Sequence, residues 1–171
     1  MKRILQLISI IMLMPLINFA QSDEWITYKC KEGHYIINYP GIPKETAQYD
    51  SSGGTLLKIN LVEYEIDENT VLMSSWIDMS HSIVPEKSIK QLLEDNRDGA
   101  AGALQATNVT TLATNLTGDP YIEFTFSTKE FAGKDRIYFI NKFQYSIITI
   151  FAGEKDLSSV ADKFIGSFKH L

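Results

Sequence analysis

Apolar and polar residues alternate along most of this chain, and the period lengthens to that of a helix in only two stretches. Trp25-Ile26-Thr27-Tyr28-Lys29-Cys30 is β-branched and aromatic, turns at Lys31-Glu32-Gly33, and resumes as an extended run from residue 34 to 39. Residues of this kind suit a pleated surface, so the two runs predict a hairpin. Pro40-Gly41-Ile42-Pro43 then halts regular structure, because proline lacks a backbone donor and glycine admits unusual dihedrals. Residues 55–64 read as a strand, with Leu57, Ile59 and Leu61 on one face and Lys58 and Asn60 on the other. A turn cluster at 50–54 separates it from a preceding extended run, turn residues at 67–69 end it, and another strand runs from 70 to about 79.

The first helical period follows. Ser82 is placed to cap it, with Pro85 and Glu86 near its first turn. Ile89, Leu92, Leu93, Ala100, Ala103 and Leu104 then recur at helical spacing, with Asn96 on the same stripe. Gly99 and Gly102 weaken it by about 1 kcal/mol each relative to alanine. Further strands are read at 108–116, 121–126, 136–140 and 145–151, with a loop at 132–135. The last of these is almost wholly apolar, which predicts a central strand covered on both faces. A second helix closes the chain: Leu157, Val160, Ala161, Phe164, Ile165 and Phe168 lie opposite Lys155, Ser159, Asp162, Lys163 and Lys169. Turns rather than crossover helices join the strands, so the expected fold class is α+β. In that expectation two amphipathic helices pack on a mostly antiparallel sheet.

The N-terminus obeys a different logic. Lys2 and Arg3 precede an apolar run from residue 4 to 17, and a small residue, Ala20, stands just before hydrophilic Gln21-Ser22-Asp23-Glu24. That is the plan of a secretory signal peptide. The run falls short of the about 20 apolar residues a membrane-spanning helix needs. Residues 1–20 are therefore expected to be a cleaved export signal, residues 21–171 a single domain, and the protein periplasmic or secreted with no integral span after cleavage. No cysteine stands at the expected cut, which argues against a lipid anchor. Without Lys2 and Arg3, the 16 basic residues become 14 against 21 acidic ones, a net of −7. That sign disfavours nucleic acid and anionic lipid as partners.

Candidate chemistry is sparse. Cys30 is the only cysteine, so no internal disulfide forms, and its expected role is a small buried residue of the first strand. Flanking Lys29 and Lys31 would lower its pKa only if it were exposed. The Gly53-Gly54 turn leads into a strand and not into a helix N-terminus, which disfavours a phosphate cradle. His34, His81 and His170 have no second histidine at metal-binding spacing. Asp78 precedes His81 by three residues, and a carboxylate near an imidazole can orient it for proton transfer or metal binding; a strand end running into a helix cap is the plainer reading. Glu63, Glu65, Asp67 and Glu68 lack the spacing and glycine of an EF-hand loop and read as a solvated sheet face.

The C-terminal half runs from the Gly118 turn through an extended stretch holding Glu123, a Gly133 loop, Arg136-Ile137-Tyr138-Phe139-Ile140, and a strand with Tyr145 and Ile148. It closes on Ala161-Asp162-Lys163-Phe164-Ile165-Gly166-Ser167-Phe168-Lys169. The N-terminal half adds Tyr35-Ile36-Ile37-Asn38-Tyr39-Pro40-Gly41-Ile42-Pro43. This arrangement resembles the superfamily of PsbP-like photosystem II extrinsic proteins and the nuclear Ran-release factor. The resemblance implies an antiparallel sheet with helices packed on both faces, an α/β/α sandwich; it implies no common enzyme activity and transfers no site residue. The leading expectation is an exported, non-enzymatic binding or assembly module of the cell envelope, with another envelope protein as partner. Trp25, Tyr35, Tyr49 and Tyr64 are candidate interface anchors. The alternative is a metal-dependent accessory protein or enzyme using Asp78 and His81. No catalytic residue, metal ligand or cofactor is assigned, and the oligomeric state is left open.

Overall fold

A computed structural model describes residues 24–50, 56–80, 87–152 and 158–171. The expected export signal, the Gly53-Gly54 turn, Ser82, Pro85 and His81 lie outside the described residues. Among the described residues ten strands and two helices succeed one another: β1 Ile26–Cys30, β2 Tyr35–Tyr39, β3 Lys44–Asp50, β4 Leu57–Asp67, β5 Thr70–Asp78, α1 Ile89–Ala103, β6 Asn108–Asn115, β7 Tyr121–Ser127, β8 Phe131–Ile140, β9 Phe143–Ala152, α2 Ser158–Gly166 and β10 Lys169–His170. Seven strands form one antiparallel sheet in the order β3-β4-β5-β9-β8-β7-β6, and β1-β2-β10 form a second, smaller one.

The α+β sandwich with helices on both faces is corrected by this architecture. Among the described residues 56% are strand and 18% helix, so the fold is β-rich. The sequence reading undercounted strand because two segments carry no apolar alternation. Lys44–Asp50, read only as an extended run of undefined bounds before the turn at 50–54, is a full edge strand held by β4. Residues 132–135, read as a loop, lie inside β8, which starts at Phe131. The helices are correspondingly shorter. α1 begins at Ile89, capped by Ser88, whose Oγ accepts the Gln91 N–H at 3.3 Å. α2 ends at Gly166, and the chain then turns so that Lys169 and His170 pair with β2.

β9 occupies the centre of the large sheet, as its apolar run predicts, and its alternate residues serve two cores. Tyr145 and Ile147 face the small sheet and α2, joining Tyr35, Ile37, Tyr39, Leu72, Phe164 and Phe168. Ile148 faces the other way, with Leu93 of α1 and Ile122, Phe124 and Phe126 of β7. One face of the sheet is thus covered mainly by another sheet, with α2 beside it. The opposite face has α1 over β7 and β8. β8 and β9 are joined by the two-residue turn Asn141-Lys142, whose φ angles of 50° and 68° match the doubly left-handed turn that right-twisted hairpins favour. No helix among the described residues is long and apolar enough to cross a membrane.

Candidate functional site

A cleft of about 290 Å³ opens where the end of β1 faces β3, β4 and β5. The Lys31–His34 turn builds its wall. His34 adopts a φ of 55°, and the Gly33 N–H donates to Cys30 Sγ at 3.2 Å. Gly33 is pressed between Cys30, Trp76 and Tyr35: a Cβ there would stand 2.9 Å from an atom of each. The Tyr145 hydroxyl donates to the Gly33 carbonyl at 2.9 Å from the sheet below. This clamp turns Cys30 inward while Lys29, its neighbour on the strand, points out, as pleating requires.

The inward position decides the chemistry of Cys30. It is buried, and burial pushes its thiol pKa up, so the thiol stays protonated and a poor nucleophile at neutral pH. Beside it the Tyr28 hydroxyl is also pushed up, first by burial and then by its hydrogen bond to the Glu45 carboxylate. Asn60 and Trp76 complete the lining. The cleft therefore has an aromatic and amide interior with Lys29, Lys31 and Glu32 at its mouth. Such a surface suits recognition by hydrogen bonds and aromatic contact.

Asp78 ends β5, and its Oδ1 accepts the Ser80 N–H at 2.8 Å, the side-chain turn with which Asp commonly closes a strand. The carboxylate of the Asp78 and His81 pair is thus engaged locally, and His81 lies outside the described residues. His34 packs edge-on against Phe143 at 5.6 Å and His170 against Tyr145 at 6.0 Å. Glu63 faces Lys44 at 3.5 Å, and Asp67 Oδ1 accepts the Asn69 N–H at 2.9 Å. Among the described residues no three His, Cys, Asp or Glu side chains group so as to hold a metal. The four candidate anchors separate cleanly. Tyr35 is fully buried, Trp25 lies under Lys163 Nζ at 4.4 Å, and Tyr64 packs closely on Gly41. Tyr49 alone of the four stands well out, 66% exposed.

One charged cluster was not read as such from the sequence. Glu123 is buried on β7 and binds the guanidinium of Arg136 directly opposite on β8. Its other oxygen takes Lys134 Nζ at 2.9 Å, and the same ammonium reaches Asp162 of α2 at 2.8 Å. Burial works to lower the Lys134 pKa, but the two carboxylates outweigh it and leave the group above its usual value. The signal was present: a glutamate between Ile122 and Phe124, and a hairpin register that sets it against Arg136. The cluster has as many positive as negative groups and ties α2 to the sheet, which is a structural task. No family model matches this chain, and none of the curated proteins compared with it matches either.

Proposed function

We propose that this chain is an exported, non-enzymatic binding module of the cell envelope, and that the cleft beside β1 receives an extended segment of another envelope protein. The observation that carries the reading is the conjunction of an edge strand with a lined cleft. β1 has β2 on one side and, among the described residues, no strand on the other, so its outer backbone groups are available to an added strand. Tyr28, Trp76 and Asn60 stand where the side chains of such a segment would fall. The protonated Cys30 and the locally engaged Asp78 both support binding over catalysis. The resemblance to PsbP-like proteins belongs to the same proposal and rests on the sequence pattern alone.

Site-specific photocrosslinking in the native cell tests it. A benzophenone residue at Lys29, beside the cleft, is expected to yield one discrete adduct with an envelope protein. The same group at Lys90 on α1 should yield none. Equal labelling from both positions, or none from Lys29, would remove the reading. Intact mass of the recovered protein checks the export component, which requires loss of about 20 N-terminal residues.

A further inference from the structure

Edge strands are where a sheet offers hydrogen bonds to another chain. Among the described residues the large sheet has two, β3 and β6. β6 shifts register between Thr111 and Ala113, and a bulge of that kind spoils a ladder along its open side. β3 instead pairs with β4 without interruption from Lys44↔Glu63 to Asp50↔Leu57, and all seven of its residues are exposed. Its Lys44, Glu45 and Asp50 discourage indiscriminate pairing, because charges left opposite apolar or like-charged residues are unfavourable.

One partner escapes that restriction. In an antiparallel ladder the two residues directly opposite each other share one hydrogen-bonding class and one face. A strand that pairs with its own copy about a two-fold axis must therefore have the axis pass through a residue, never between two. For Lys44–Asp50 the register that uses the whole strand centres on Ala47. Lys44 then stands opposite Asp50 of the second copy, and the symmetry repeats this pair at the other end. Thr46 meets Gln48 on the same face. On the other face Glu45 meets Tyr49, whose exposed phenol can donate to that carboxylate. The charges that exclude other strands become complementary in this one arrangement.

We propose that β3 is a dimerisation strand: two copies of this chain join edge to edge, antiparallel, about a two-fold axis at Ala47, with reciprocal Lys44–Asp50 pairs. The inference does not rest on the proposed function, although Glu45 and Thr46 of the same strand also line the cleft beside β1.

Sedimentation of the protein recovered after expression of the full chain tests this, with charge reversals as probes. Lys44→Asp and Asp50→Lys each set like charges opposite one another twice, so each should weaken the dimer by about tenfold or more. The double variant exchanges the signs and should regain wild-type association. Ala47→Cys, with the charges left native, should form a disulfide-linked dimer in air, since the two new thiols would face each other across the axis and Cys30 is buried. A monomer at every concentration would overturn the proposal. So would a dimer indifferent to both single reversals, or one that the Ala47→Cys thiol does not link. Folding of each variant is checked by circular dichroism; should the reversals misfold, the cysteine variant decides alone.

Discussion

Asp135 is a carboxyl group set into an apolar layer. Its cross-strand neighbours are Phe124 and Ile148, both in the core beneath α1, and it is 1% exposed. The Ser146 hydroxyl reaches both of its oxygens, at 3.0 and 3.1 Å, and the Arg136 and Ile147 backbone amides add to this, yet burial outweighs them and pushes its pKa up from 3.8 to about 7. The folded state therefore holds a proton on this group that the unfolded chain releases above about pH 4. Its contribution to stability is whole below pH 4, declines as pH rises, and is lost once pH passes about 7. The whole change is roughly 4 kcal/mol. Asp135→Asn should remove this dependence. Urea unfolding across pH 4 to 8 should show the variant gaining on the wild type up to about pH 7 and holding level above it. A constant difference across that range would mean that Asp135 ionises normally in the fold.

At the scale of elements, the β8–β9 hairpin shows a strain that can be relieved. Lys142 sits at a φ of 68°, where a side chain other than glycine or asparagine is disfavoured by roughly 1 kcal/mol or more. Lys142→Gly should therefore raise stability by about 1 kcal/mol, read as a higher urea midpoint with an unchanged slope. A lowered midpoint would show that glycine's greater freedom in the unfolded chain outweighs the strain. The same turn also marks how far the sequence could be read. Polar Asn141-Lys142 between two apolar runs marks a break between strands, and the apolar run of β9 announced the central strand. β3 was legible only as an extended run without bounds, because Lys-Glu-Thr-Ala-Gln-Tyr-Asp buries nothing on either face and hydrophobic periodicity had little to report. The early part of β8 stayed hidden because Gly133 and Asp135, its inward residues there, are a glycine and an acid. Gly133 is required, since a Cβ would run into the Thr149 carbonyl and the Phe126 ring. In β4 the alternation was real, but Leu57, Ile59 and Leu61 are only half-buried; the face with Val62 and Tyr64 meets the main core. The cleft was the least legible feature, because β1, β3 and β5 supply its lining from segments far apart in the chain.

For the whole molecule the question is what holds the small sheet on the large one, and the answer combines aromatic packing with a chain of hydroxyl groups. Tyr35 and Tyr39 of β2 both contact Ser74 Oγ of β5 at 2.8 Å. Each hydroxyl has one proton. Tyr39 spends its proton on the Val62 carbonyl at 2.9 Å, so Ser74 must donate to Tyr39 and Tyr35 must donate to Ser74. The polarity of the whole chain follows: Tyr35 to Ser74 to Tyr39 to the β4 backbone. Burial pushes both phenols up, so both stay protonated at neutral pH. Ser74→Ala would leave the Tyr35 proton without an acceptor in a dry interior and should cost about 2 kcal/mol. Tyr35→Phe removes that same proton together with its need for a partner. The two substitutions should therefore be non-additive, the double variant being more stable than the summed single losses by about 1 kcal/mol. Amide exchange in β1 and β2 should accelerate in Ser74→Ala more than in the outer strands β6 and β7, because the serine joins the small sheet to the large one. Strict additivity, with exchange raised equally everywhere, would assign the docking to aromatic packing alone, where Tyr35, Tyr138 and Tyr145 each lie within 5.5 Å of Phe168.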